Sequence, residues 1–237
     1  MFRYLIILST TLFLRSAHAA EVSSPRHAII ASDKGMVVRY DAHGKVAWIY
    51  SGVAQVHTLQ QLKNGNILCQ KDWQTIIEIT PGSDVVWTYD ATTNGNEGRK
   101  VEVHAFQRLA NGNTMIVENG IGRILEVDAA GDIQHEMKYR VNRLNAHSDV
   151  RMAHQLENGH YLLAHENEGH VTEYNHAGGI VWNYDVPLFD NPRKPGHGPK
   201  AFGNQVYNAL RLRNGNTLIA TWNAPDFSTR SYESQVR

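Results

Sequence analysis

The chain is short of the features that mark several common protein classes. Its 237 residues include a single cysteine, Cys69, so the chain forms no internal disulfide. The 23 Lys and Arg residues match the 23 Asp and Glu residues, so neither sign of charge dominates. A balanced chain of this kind is not typical of proteins that bind a polyanion or a membrane surface, and we expect no nucleic-acid partner.

Long apolar runs are also missing, apart from one at the N-terminus. Arg3, the apolar stretch Leu5–Leu14 and the small residues Ala17 and Ala19 have the order of a secretory signal peptide. The run is too short to span a bilayer. We therefore predict a signal peptide over residues 1–19, one domain over residues 20–237, a periplasmic or secreted location, and no transmembrane segment after signal removal.

One sequence segment recurs along the chain and predicts strands, which leaves no room for helices. The segment reads VHTLQQLKNGNIL, VHAFQRLANGNTM, VRMAHQLENGHYL and VYNALRLRNGNTL, starting at Val56, Val103, Val150 and Val206. Each copy contains Asn-Gly between two apolar runs, at Asn64, Asn111, Asn158 and Asn214. This pattern predicts a β-hairpin closed by a type I′ turn, in which both turn residues have positive φ.

A second hairpin follows each copy of the segment, so one unit contains four short antiparallel strands. That is the size of a propeller blade. Pairs of aromatic residues end the last strand of three units and are expected to pack between blades: Trp48 with Tyr50, Trp87 with Tyr89, and Trp182 with Tyr184. We predict an all-β fold, a β-propeller of four-stranded antiparallel blades. Five blades are visible in whole or part, so the ring is expected to be incomplete at its C-terminal end.

The connections between units are long, unlike the near-identical turns at the other end of each blade. They cover Asp90–Glu102, Arg140–Asp149 and Val186–Gln205. Loops that exceed the short norm often carry function. We therefore place the candidate site on the long-loop face, over the central channel.

Equivalent positions at the start of the inner strands carry four different polar side chains: His57, His104, Arg151 and Tyr207. Four more candidates lie at the same end of the blades: Trp73, Asn119, Asn167 and Asn223. Arginine offers a planar fork for an anion, and His57 or His104 can act as acid, base or nucleophile. Together these residues predict that the site binds a small anionic or aromatic ligand, or a protein partner.

A second interpretation is that these polar residues only line a wet channel. In either case the rim is expected to be solvated, so that Arg151→Ala barely changes folding. If Arg151 binds an anionic ligand through a charge-assisted hydrogen bond, the same substitution is expected to weaken that ligand.

A metal ion is the other hypothesis for this face. His165, Glu166, Glu168 and His170 crowd one hairpin tip, near His147 or His197 of neighbouring loops. Their spacing matches no specific metal motif, and a solvated hairpin tip is the usual explanation of such a cluster. We predict no metal and no cofactor.

Three short patterns recur in the units: Leu-x-Asn-Gly-Asn, then Val/Ile-x-Glu-Val/Ile-x-Asp, then Gly-x-Val-x-Trp-x-Tyr. From His27 to Trp222 the chain resembles the repeats of quinoprotein-like and bacterial arylsulfotransferase-like propellers. Likeness to the second group implies an extracytoplasmic enzyme that moves sulfate between phenols, with His57 or His104 as nucleophile and Arg151 as sulfate clamp. The quinone cofactor of the first group commonly stacks on a vicinal disulfide, which a single cysteine excludes. Related propellers that only scaffold protein assembly keep the blades without the site.

Overall fold

The computed structural model describes residues 27–54, 56–190, 192–194 and 203–221. Within these residues every regular element is a strand, and no helix is long and apolar enough to cross a membrane. The predicted signal peptide lies outside the described residues. The strands are β1 (Ile29–Asp33), β2 (Met36–Tyr40), β3 (Val46–Ser51), β4 (Leu59–Gln61), β5 (Ile67–Gln70), β6 (Thr75–Ile79), β7 (Val85–Asp90), β8 (Glu102–Arg108), β9 (Thr114–Asn119), β10 (Arg123–Val127), β11 (Ile133–Lys138), β12 (Val150–Gln155), β13 (Tyr161–His165), β14 (His170–Tyr174), β15 (Ile180–Asp185), β16 (Val206–Arg211) and β17 (Thr217–Thr221).

The strands form five antiparallel sheets, which are the blades. The first blade holds β1–β3, the second β4–β7, the third β8–β11, the fourth β12–β15 and the fifth β16 and β17. The inner strands β8, β12 and β16 lie side by side in space. The prediction of an all-β propeller with three complete and two partial blades is confirmed, and the described residues do not close the ring.

The Asn-Gly hairpins differ from the predicted type I′ turns. The Leu62 N–H donates to the Asn66 carbonyl at 2.8 Å, and the Gly65 N–H donates to the Leu62 carbonyl at 3.0 Å. Only Gly65 has a positive φ, of 87°. The Asn64 side-chain oxygen accepts the Asn66 N–H at 3.0 Å, which holds Asn64 in an Asx turn. The type I′ prediction is therefore wrong: each hairpin has one more loop residue, and glycine alone takes the left-handed conformation.

A carboxylate on the third strand ties each complete blade to the next. The contact repeats three times: Glu78 with Arg108 at 2.8 Å, Glu126 with Gln155 at 2.7 Å, and Glu173 with Arg211 at 2.8 Å. The Arg108 guanidinium also lies 5.4 Å from the centre of the Trp87 ring. The equivalent distance from Arg211 to Trp182 is 4.9 Å. These tryptophans therefore pack between blades, as predicted.

Candidate functional site

The inner strands bulge at the same place in three blades. The bulges hold the repeat-equivalent residues His104 with Ala105 in β8, Arg151 in β12, and Tyr207 in β16. A bulge breaks the alternation of a strand and re-aims a side chain. His57 lies just before β4, and the Thr58 hydroxyl donates to the His104 carbonyl at 2.8 Å. The start of the second blade is thereby held against the third.

Arg151 is the centre of the resulting group and is 1% exposed. Its Nε donates to Glu166 at 2.8 Å, and its Nη2 lies 2.6 Å from the same carboxylate oxygen. Nη2 also donates to the His147 carbonyl at 3.3 Å. Nη1 contacts Nδ1 of both His57, at 3.2 Å, and His104, at 3.0 Å. Every N–H group of this guanidinium is therefore used inside the protein.

Glu102 joins two of the histidines. A single oxygen of its carboxylate lies 3.0 Å from His104 Nε2 and 2.8 Å from His147 Nδ1. Burial raises the pKa of Glu102, but the hydrogen bonds from His104 and His147 outweigh it and lower the pKa to about 2. Glu102 is thus ionised at neutral pH and only accepts hydrogen bonds.

These partners determine where the imidazole protons sit. A guanidinium only donates, so Nδ1 of His57 and of His104 must accept, and neither carries a proton there. Burial, followed by the charge of Arg151, lowers the pKa of His57 to about 4. Burial also lowers the pKa of His104. Both rings are neutral with the proton on Nε2. His147 is the reverse: its Nδ1 donates to Glu102.

Trp73 packs among the three imidazoles. Its ring centre lies 5.3 Å from that of His57, 5.2 Å from His104 and 5.1 Å from His147. Trp73 and His57 are half-buried, and the His147 side chain is 46% exposed. We call the group of His57, Trp73, Glu102, His104, His147, Arg151 and Glu166 the histidine cluster. Solvent reaches it beside His147, Trp73 and His57.

The cluster carries more negative than positive fixed charge. Arg151 contributes one positive charge, and the ion pair with Glu166 offsets it. Glu102 contributes a further negative charge, since its pKa is lowered to about 2. Without the histidines, one guanidinium against two carboxylates leaves a net charge of −1. The fixed charges therefore favour a neutral ligand over an anion.

Glu102, His104 and His147 also bring one potential metal ligand each within 4.8 Å of one another. Coordination by His104 Nε2 would require its proton to move to Nδ1. Nδ1 lies 3.0 Å from the N–H donor of Arg151, so two donors would then face each other. The hydrogen bonding of His104 thus opposes a metal ion at these three residues.

The other predicted site residues have separate surroundings. Asn119 is fully buried, and its amide nitrogen donates to the Val150 carbonyl at 2.9 Å. Asn167 is exposed, and its carbonyl accepts from Arg193 at 2.8 Å. Tyr207 is half-buried in the β16 bulge. Asn223 lies outside the described residues. The expectation of a solvated rim at Arg151 is wrong, because the bulge turns this side chain into the protein.

Sequence reasoning missed Glu102, and it named His147 and Glu166 only as candidate metal ligands, not as neighbours of Arg151. Glu102 precedes His104 by two positions in one strand, which is the spacing of side chains on a common face. Glu166 is the repeat equivalent of Asn119, but nothing in the sequence pairs it with Arg151. His147 lies in a long loop without periodicity. Only the Glu102–His104 spacing offered a usable signal.

A buried histidine next to the cluster predicts how stability depends on pH. Burial, and then the charge of His170, lower the pKa of His165 to about 3, and Tyr139 and Tyr174 also face its ring. The unfolded chain protonates His165 near pH 6.5 and the folded protein does not, so stability falls as pH drops below 6.5. We expect this residue alone to cost about 2 kcal/mol between pH 6.5 and pH 5.

Urea unfolding at pH 7.5 and at pH 5 measures this loss. His165→Leu should flatten the dependence by the contribution of one histidine, and the exposed His43→Ala should leave it unchanged. An unaltered pH dependence in His165→Leu would contradict the assignment.

Comparisons with known proteins bear on the fold. No family model matches the chain, and no curated protein matches it in sequence. A solved protein of unknown function from Bacteroides caccae has a TM-score of 0.64 at 19% identity, covering 83% of this chain and 65% of the other. A streptogramin B lyase has a TM-score of 0.56 at 12% identity, covering 84% and 64%. Virginiamycin B lyase from Staphylococcus aureus has a TM-score of 0.55 at 14% identity, also covering 84% and 64%.

At these identities the likeness shows the β-propeller fold and nothing finer. The chain spans 65% of the first of these proteins and 64% of the other two, which is less than two thirds of each. The activity of a protein of that full length can therefore only be proposed for this chain.

Proposed function

We propose that this chain is a ligand-binding propeller that takes a small, neutral aromatic molecule with a hydroxyl group at the histidine cluster. The observation that carries the proposal is the packing of the half-buried Trp73 among three imidazoles, at 5.1 to 5.3 Å, beside the half-exposed His147. An aromatic ligand stacks on such rings, and the polar edges orient its hydroxyl group.

The charges of the cluster support a phenol over an anion. Arg151 is the natural partner of a sulfate or carboxylate, but it is 1% exposed and its donors are occupied by Glu166, His57, His104 and the His147 carbonyl. An anion would have to displace these partners and approach the ionised Glu102 as well. A neutral phenol does neither.

We also propose a periplasmic or secreted location, on the strength of the signal-like residues 1–19. The other partner class is a protein bound at the same long-loop face. A protein partner needs a far larger contact area than the cluster alone provides, so the small ligand is preferred.

Calorimetric titration with phenol tests the proposal. We expect saturable binding that Trp73→Ala weakens about tenfold, because the variant loses about 1.5 kcal/mol of aromatic contact. Phenyl sulfate should bind more weakly than phenol to the wild type. His43→Ala, an exposed change in the first blade, should leave the affinity unaltered. Equal and weak binding of phenol to the wild type and Trp73→Ala would refute a site on this ring.

Aryl sulfotransfer is the second candidate function, and the contact of His147 with Glu102 at 2.8 Å favours it. In that reaction an imidazole nitrogen bonds to sulfur, the bond from sulfur to the phenol oxygen breaks, and the phenolate leaves. Incubation with 4-nitrophenyl sulfate and a phenol acceptor separates the two functions. Release of nitrophenol that disappears in His57→Ala, His104→Ala or His147→Ala would replace the binding proposal with the enzyme.

A further inference from the structure

We infer that Nε2 of His147 is the proton acceptor of the histidine cluster and takes the proton of a phenolic hydroxyl group. The inference rests on the proposed function for its substrate class. It concerns a residue that the repeat pattern does not single out, since His147 lies in the loop before β12 and not at an inner-strand position.

The hydrogen bonds of the cluster converge on Glu102. Arg151 donates to Glu166 and to Nδ1 of His104. His104 then donates through Nε2 to Glu102, because Glu102 is a carboxylate that only accepts. His147 donates to the same oxygen through Nδ1, at 2.8 Å. In the neutral form of His147 the lone pair is therefore on Nε2.

The other two histidines lack this property. The lone pair of His57 and that of His104 both point at Nη1 of Arg151, at 3.2 and 3.0 Å. If either Nδ1 atom accepted a proton, its new N–H would point at an N–H of the guanidinium. His104 is in addition fully buried, whereas 46% of the His147 side chain is exposed. His147 is thus the accessible base among the three.

Hydrogen bonds hold the backbone around His147, and Trp73 packs against its ring. Its N–H donates to the Asn145 side chain at 2.9 Å, and its carbonyl accepts from Arg151 at 3.3 Å. Trp73 packs edge-to-face against the ring, with centres 5.1 Å apart and planes at 78°. The proton of the phenol moves to Nε2, so the phenolate forms beside an imidazolium of opposite charge, and the total charge of site and ligand does not change. Glu102 stabilises that imidazolium through Nδ1–H. Glu102 is a positioning residue in this step, since it acts through His147.

The proton positions can be measured without any ligand. In the full chain labelled with 15N-histidine, we expect NMR to show His147 protonated on Nδ1 and bare on Nε2, and His57 and His104 with the opposite pattern. Glu102→Gln should release the His147 tautomer while the near-ultraviolet circular dichroism of the fold persists. A proton on Nε2 of His147 in the wild type would overturn the inference.

The proton transfer itself is read with 4-nitrophenol, whose phenolate absorbs at a longer wavelength than the phenol. At a pH below the pKa of the free phenol, binding should raise the ratio of phenolate to phenol at least about tenfold, the change that one pKa unit represents. His147→Gln should abolish this rise per bound nitrophenol, and the bound amount is measured by calorimetry because the loss of a residue of the site also weakens binding. The same substitution at the exposed His43 should keep the rise.

The two proposals fail in different ways. If nitrophenol does not bind at all, the proposed ligand class is wrong, and the NMR experiment still decides the state of His147. If nitrophenol binds and the phenolate band is the same in the wild type and His147→Gln, the binding proposal stands and His147 is not the proton acceptor.

Discussion

Arg151→Ala is expected to lower the free energy of unfolding by about 3–5 kcal/mol, the usual cost of removing one partner from a buried ion pair. Glu166 is 1% exposed and takes both Nε and Nη2 of Arg151. Without the guanidinium its charge stays buried and unpaired. The Nδ1 atoms of His57 and His104 lose their donor at the same time. Urea unfolding at pH 7.5, followed by circular dichroism, measures the loss.

Arg108→Ala is the matched control for this prediction. Arg108 also pairs with a carboxylate, Glu78, at 2.8 Å, but its side chain is 20% exposed, so water can replace part of the lost contact. We expect a smaller loss of stability there. The double variant Arg151→Met/Glu166→Leu should recover part of the stability, because it removes both charges together. An Arg151→Ala protein within about 1 kcal/mol of the wild type would mean that the side chain is solvated.

Gly120→Ala should be the second most damaging change, with an expected loss of about 2–5 kcal/mol from a left-handed backbone and an overpacked contact. Gly120 has a φ of 80°, and a Cβ atom there would lie 2.5 Å from the Lys100 carbonyl oxygen and 2.8 Å from the Ala146 Cβ. Because those two residues belong to the loops before β8 and β12, the clash would also displace the neighbouring His147.

Gly112→Ala separates the steric effect from the backbone effect. Gly112 has a φ of 93°, but nothing lies within 4 Å of a Cβ built there. This variant should therefore lose only the conformational part, about 1–2 kcal/mol. Thermal unfolding of both variants checks the comparison. Equal losses at the two glycines would contradict the close packing of Gly120 between the loops.

Much of the fold could be predicted because it depends on local patterns. The repeated segment predicted units of four antiparallel strands, and the second, third and fourth blades have that form. The turn type was not predictable from Asn-Gly alone. The Asn64 side chain accepts the Asn66 N–H at 3.0 Å, and this contact selects a different loop from the one that the dipeptide favours on average.

The candidate site was predictable only in outline. The repeat alignment brought His57, His104 and Arg151 into one group, and the structure joins them through Nη1 of Arg151. The alignment also suggested that Arg151 faces solvent, because it treated the inner strand as regular. The bulge in β12 removes that regularity and turns the guanidinium inward. A bulge that contains no glycine cannot be recognised from any single residue of the sequence.

The sequence by itself determined the architecture. Alternating apolar residues, short turns and a repeated unit bury their apolar faces when they form antiparallel blades that pack against one another. The tertiary structure alone decided the chemistry of the site. Arg151 meets His57 across 94 positions of the chain and His104 across 47, and Glu102 meets His147 across 45. The proton on each imidazole depends on which partner it faces, and that is set by the packing of separate blades and loops.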